Sequence, residues 1–170
     1  MYKVYPKIIL ACLLLVMTGT VYSQRVTQTI NDGWKFSLFE GDASTADFDI
    51  SGWTDVSIPH TWNAKDADDE ISGYFRGKGW YRKVVAVEEL IPEQRVYLSF
   101  EGANQETNVF VNGTFVGNHK GGYSAFTFDV TDYVHAGRNL IAVSVDNSHN
   151  PDIAPLSADF TFFGGIYRDV

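Results

Sequence analysis

Apolar residues recur at every second position along much of this chain, in short runs that turn residues interrupt, and no stretch carries the spacing of a long amphipathic helix. A period of two sends alternate side chains to opposite faces, so each run reads as a strand with one buried face. Trp34 to Leu38, Trp80 to Val87, Arg95 to Phe100, Thr107 to Val111 and Arg138 to Asp146 all have this form. Val109 and Val111 share one face with Phe110 on the other, and Ile141, Val143 and Val145 point inward together. Asn112-Gly113 accepts positive φ twice, as a two-residue hairpin requires, and Phe115-Val-Gly is the returning strand. Phe126, Phe128 and Val130 alternate with Thr127 and Asp129; Thr131 to His135 reads as one helical turn, capped by Thr131 or Asp132 and ended near Gly137. Many short strands punctuated in this way predict an all-β sandwich or barrel.

Residues 1–23 stand apart from that pattern. Lys3 and Lys7 form a basic start, Ile8 to Met17 is apolar, and Val21-Tyr22-Ser23 offers a small-residue cleavage site before Gln24. That is the pattern of a secretory signal peptide, and the apolar run is too short to span a bilayer. Cys12 lies inside the run rather than after it, which speaks against a lipid anchor. The expected product is a secreted or periplasmic domain over residues 24–170 without cysteine. Such a domain must rely on its apolar core rather than on disulfides. Losing two lysines with the signal takes the net charge from −8 to −10, a balance that argues against nucleic acid as a partner.

Aromatic residues are abundant (Phe 12, Tyr 9, Trp 4). A pleated, half-buried core accounts for most of them; stacking on sugar rings is the functional reading of the rest. The stretch from Gly41 to Gly79 is rich in acids and turn residues, and its aromatics (Phe48, Trp53, Trp62, Tyr74, Phe75) suggest long connections packed onto the sandwich. Asn112-Gly113-Thr114 also reads as a glycosylation sequon, although the hairpin explains Asn-Gly without it.

Several segments, taken in order, carry a resemblance: Asn31 to Phe36, Trp53 to Asn63, Gly79 to Lys83, Phe100 to Ala103, Val109 to Gly113, Gly121 to Phe126, Phe128 to Thr131, Asn139 to Val143 and Gly164 to Val170. Together they resemble the N-terminal sugar-binding domain of glycoside hydrolase family 2, which includes β-galactosidases, β-glucuronidases and β-mannosidases. The ending from Pro155 to Gly165 is most similar to the β-galactosidase-type members. The resemblance implies a jelly-roll β-sandwich of the galactose-binding-like kind. It also implies that a second sandwich and a (β/α)8 barrel follow, and that the barrel holds both catalytic glutamates. Ile166 to Val170 alternates like a strand that continues beyond the last residue.

A retaining glycosidase needs two carboxyl groups about 5–5.5 Å apart. The glutamates here are Glu40, Glu70, Glu88, Glu89, Glu93, Glu101 and Glu106, and none lies in a segment resembling the family's catalytic motifs. No catalytic residue is therefore expected, and the chain by itself is expected to be inactive. Asp159 is the candidate substrate-binding residue. The resemblance implies that this aspartate reaches the barrel's pocket, accepts hydrogen bonds from hydroxyls of a β-galactoside-like terminal sugar, and helps hold a monovalent cation in the full-length enzyme. Phe160, Phe162 and Phe163 are expected to pack against a neighbouring domain. Asp66, Asp68, Asp69 and Glu70 could ligate calcium, but their spacing fits no EF-hand and a solvated loop explains them. His60, His119, His135 and His149 are too scattered for zinc, and His60 reads as a loop-packing residue. Gly121-Gly122 permits a tight bend, and Arg168-Asp169 is expected to tie neighbouring loops by charge-assisted hydrogen bonds. The alternative from another class is a stand-alone, non-catalytic carbohydrate-binding module; a structural protein-interaction domain is a third reading.

Overall fold

The computed structural model describes residues 25–66, 73–157 and 159–170. Residues 1–23, expected to be a signal peptide, and the acidic residues Asp68, Asp69 and Glu70 lie outside the described residues. Among the described residues ten strands form in chain order: β1 Trp34–Leu38, β2 Thr54–Val56, β3 Lys78–Val87, β4 Tyr97–Phe100, β5 Ala103–Asn104, β6 Glu106–Val111, β7 Thr114–Lys120, β8 Phe126–Asp129, β9 Gly137–Asp146 and β10 Gly165–Ile166. Six build one antiparallel sheet in the order β2-β1-β3-β9-β6-β7, while β4 pairs with β8 and β5 with β10.

β9 lies between β3 and β6 and pairs with both, which is why its alternation is so clean. Its inward residues Ile141, Val143 and Val145 join Trp34, Tyr81, Val109 and Val111 in the main core. The β4–β8 pair closes the sandwich, with Leu98 opposite Phe128 and Phe100 opposite Phe126. Phe100 and Phe126 stack at 4.9 Å. On the other face of that pair, Ser99 and Thr127 share a hydroxyl hydrogen bond of 2.9 Å. The chain is thus the all-β sandwich that the alternation predicts.

The first part of the loop-rich stretch, through Trp53, packs on the outside of the large sheet, whereas Ile58 and Trp62 join the main core. Ala43 is buried there beside Trp80 and Ala142, with Phe48, Trp53 and Phe110 packed around them. The Trp80 indole N–H donates to the Gly41 carbonyl at 3.0 Å, which straps the connection down. Phe110, alone of its strand's apolar residues, serves this second cluster.

Three local readings change. The turn at Thr131 is a short 3₁₀ helix, Thr131–Tyr133, with no side-chain cap. The Thr131 N–H instead donates to Asp129 at 3.0 Å, two residues before the helix begins, because an aspartate there closes a local turn. The fourth strand begins at Tyr97 rather than Arg95, since the Val96 N–H donates to the Thr131 hydroxyl at 2.9 Å. The terminal strand is only Gly165–Ile166. Beyond it the backbone turns to other partners: Glu101 N–H donates to Asp169 O at 2.9 Å and Ile30 N–H to Val170 O at 2.8 Å. Asn112-Gly113 behaves as predicted, with φ of 51° and 82°.

Candidate functional site

The segment from Asp159 to Ile166 reaches one end of the sandwich, and glycines decide how it passes. A Cβ on Gly165, whose φ is +127°, would sit 2.4 Å from the His60 carbonyl oxygen; one on Gly164 would sit 2.0 Å from Trp62 Cζ2. Only glycine lets the backbone approach so closely. Beneath it lies an aromatic cluster. Phe36 stacks on Trp62 at 5.8 Å and packs against His60 at 4.6 Å and Tyr81 at 4.8 Å.

His60 Nδ1 and the Tyr81 hydroxyl are 2.8 Å apart. Burial pushes the His60 pKa below its ordinary value and pushes the Tyr81 phenol upward, so both stay neutral at physiological pH. His60 is a packing residue, as the sequence suggests. The second glycine pair is also structural: a Cβ on Gly122 would lie 2.0 Å from Asn104 Oδ1.

Three asparagines grip the segment. Asn147 Nδ2 donates to Phe162 O at 2.9 Å, Asn104 Nδ2 to Phe163 O at 2.8 Å, and Gly164 N–H donates to Asn63 Oδ1 at 2.6 Å. All three side chains are buried. Sequence reasoning missed them, because an asparagine in a loop looks like any solvated turn residue; the only signal was that Asn63 lies within, and Asn104 next to, a matching segment.

Asp159 itself is exposed and makes no hydrogen bond or ion pair among the described residues. The next residues form a groove of about 260 Å³ lined by Asn104, Tyr123, Phe160, Thr161, Phe163 and Tyr167. Tyr123 meets Phe160 edge-on at 6.3 Å. Burial first, then the nearby Tyr167 and Tyr74 phenols, raise the Tyr123 pKa. Phe160 and Phe163 stay about half exposed (51% and 45%), but Phe162 is buried within this domain, with the Arg76 guanidinium 4.9 Å above its ring. The expectation that all three face a neighbour is therefore corrected for Phe162.

The other candidates are structural or dispersed. Asp66 accepts hydrogen bonds from Asn63 Nδ2 at 2.7 Å and from Phe75 N–H at 2.9 Å, which fixes its own loop. Asp169 does tie loops, accepting from Asn31 Nδ2 at 2.9 Å; Arg168 makes no such bond among the described residues and lies 5.9 Å from the Tyr167 ring. Among the described residues no group of three His, Cys, Asp or Glu side chains could hold a metal ion. No helix among them is long and apolar enough to cross a membrane.

Residues 27–170 match the family model described as the sugar binding domain of glycosyl hydrolases family 2. A putative β-glucuronidase of Formosa agariphila is 37% identical over 98% of this chain, which spans 21% of that protein. A β-galactosidase of Thermoanaerobacter pseudethanolicus is 40% identical over 85% of the chain, or 19% of its own length. The crystal structure of a Bacteroides uniformis β-glucuronidase superposes with a TM-score of 0.79 at 47% identity, covering 86% of this chain and 17% of that one. The chain thus spans about a fifth of the relatives that it matches.

Proposed function

The chain belongs to glycosyl hydrolase family 2, whose sugar binding domain it matches, and we propose that it is the non-catalytic N-terminal domain of an exported retaining β-glycosidase. The observation that carries this reading is the match over residues 27–170 to one domain of relatives several times longer. Those relatives are named β-glucuronidases and β-galactosidases alike, so the substrate class is a β-galactoside or a β-glucuronide. Residues 1–23 are the signal peptide, and the enzyme is secreted or periplasmic. Asp159 lies on the rim of the pocket and accepts hydrogen bonds from sugar hydroxyls, which are stronger to a carboxylate than to a neutral acceptor. Its exposure at the end of the sandwich supports this role. For a monovalent cation this chain offers Asp159 beside a largely apolar groove, so further ligands would have to come from elsewhere in the enzyme.

The purified 170-residue chain should not turn over nitrophenyl β-galactoside or β-glucuronide, and measurable turnover would sink the proposal. In the full-length enzyme Asp159→Asn should lower kcat/KM at least tenfold. The second reading, a stand-alone carbohydrate-binding module, is favoured by the aromatic groove. Calorimetric titration of the isolated chain with galactose and short oligosaccharides separates the two: a module binds alone, an accessory domain negligibly.

A further inference from the structure

We infer that Asn63, Asn104 and Asn147 are positioning residues for Asp159 and act through the backbone of residues 162–164. The inference rests on the reading that Asp159 touches substrate. The three come from separate connections: Asn63 from the loop after β2, Asn104 from β5, and Asn147 from just beyond β9. Each holds a different one of three successive residues, at 2.9 Å, 2.8 Å and 2.6 Å for Phe162, Phe163 and Gly164 in turn. Their own geometry is fixed as well. Asn147 Oδ1 accepts from Gly77 N–H at 2.8 Å, and Asn147 Nδ2 reaches Asn63 Oδ1 at 3.3 Å. Asn63 Nδ2 donates to Asp66 and to Phe75 O at 2.8 Å.

Surface connections ordinarily leave their backbone groups to water. Here successive backbone groups bond to side chains that burial has already immobilised, and a buried amide stabilises only when it is bonded. Loop and amides therefore lock each other. Phe162 anchors the same stretch from below, whereas Asp159, three residues before it, projects into solvent. A carboxylate on a loose loop would have to be ordered anew with each substrate; one on a clamped loop is already in place. Misplacing a contacting group by about 1 Å can cost roughly a hundredfold in rate, so the clamp has a kinetic consequence.

The test is a double-mutant cycle in the full-length glycosidase that carries this domain, read as kcat/KM on nitrophenyl β-galactoside and β-glucuronide. Asn104→Ala and Asn147→Ala should each lower kcat/KM about tenfold or more in the wild-type background. In the Asp159→Ala background they should lower it less than about twofold, because a contact already lost cannot be lost again. Asn104→Asp keeps the shape but removes the donor to Phe163, and it should behave like Asn104→Ala. Equal losses in both backgrounds overturn the inference and leave the Asp159 reading standing. If Asp159→Ala changes nothing, both fail. Should Asn147→Ala not fold, Asn104→Ala carries the cycle from a separate element.

Discussion

Replacing Gly164 by alanine tests how closely the Asp159 segment is seated. The added Cβ would meet Trp62 Cζ2 at 2.0 Å, Trp62 Cε2 at 2.4 Å and Asn147 Cγ at 2.8 Å. None of these is the end of a flexible chain: the indole is held against Phe36, and Asn147 is fully buried. Forcing a methyl into a packed site costs about 1–3 kcal/mol. Displacing the backbone would also strain the Gly164-to-Asn63 hydrogen bond, a further ~1 kcal/mol. The total is about 3 kcal/mol, and a domain of this size loses roughly 2–4 °C of Tm per kcal/mol. Calorimetric melting of the purified chain should thus show Gly164→Ala falling by about 6–12 °C. Gly52→Ala is the matched control, since a Cβ there meets nothing within 4 Å, and it should stay within about 0.5 kcal/mol of wild type. In a Trp62→Leu background the added methyl should cost much less. If Gly164→Ala melts within roughly 2 °C of Gly52→Ala, the close approach is not what seats the segment.

Three further outcomes follow from contacts nearby. Tyr81→Phe leaves the half-buried His60 Nδ1 without its hydroxyl partner at 2.8 Å, so the urea midpoint should drop by the equivalent of about 2 kcal/mol with an unchanged m-value. His60 has a folded pKa depressed by burial from its ordinary 6.5. Unfolded chains then bind more protons, so the stability it contributes is complete above 6.5 and declines as pH falls from there towards the folded pKa; His60→Phe should flatten that part of the stability–pH curve. Asn112 donates both amide hydrogens, to Tyr133 O and Asn139 Oδ1, and accepts from Leu140 N–H, each at 2.9 Å. Asn112→Ala should cost about 2 kcal/mol by chemical denaturation, and mass spectrometry of folded chain from a glycosylating host should find Asn112 unmodified.

The long ladder was readable because its buried face repeats every second residue; Ile141, Val143 and Val145 announce β9 without help. The hairpin at Asn112-Gly113 was readable because so few residues tolerate two positive φ values in succession. What escaped were features set by distant partners. Thr54–Val56 forms β2 only because β1 offers it an edge, and nothing in Thr-Asp-Val demands a strand. Ile166 to Val170 alternates like a longer strand, yet its later backbone groups bond to Ile30, Asn31 and Glu101, which are remote in sequence. The asparagine clamp was hidden for the same reason: burial of a polar side chain depends on which loops meet over it. Asp159 was singled out only through resemblance, and the structure adds its exposure and the fixed segment behind it.

The bonds between residues 30–31 and 169–170 have a mechanical meaning. Ile30 N–H donates to Val170 O at 2.8 Å, Val170 N–H to Asn31 Oδ1 at 3.0 Å, and Asn31 Nδ2 to Asp169 Oδ1 at 2.9 Å. Residues 30–31 and 169–170 therefore meet at one corner, and tension between residues 30 and 170 would load these few bonds before it reached any strand of the sheet.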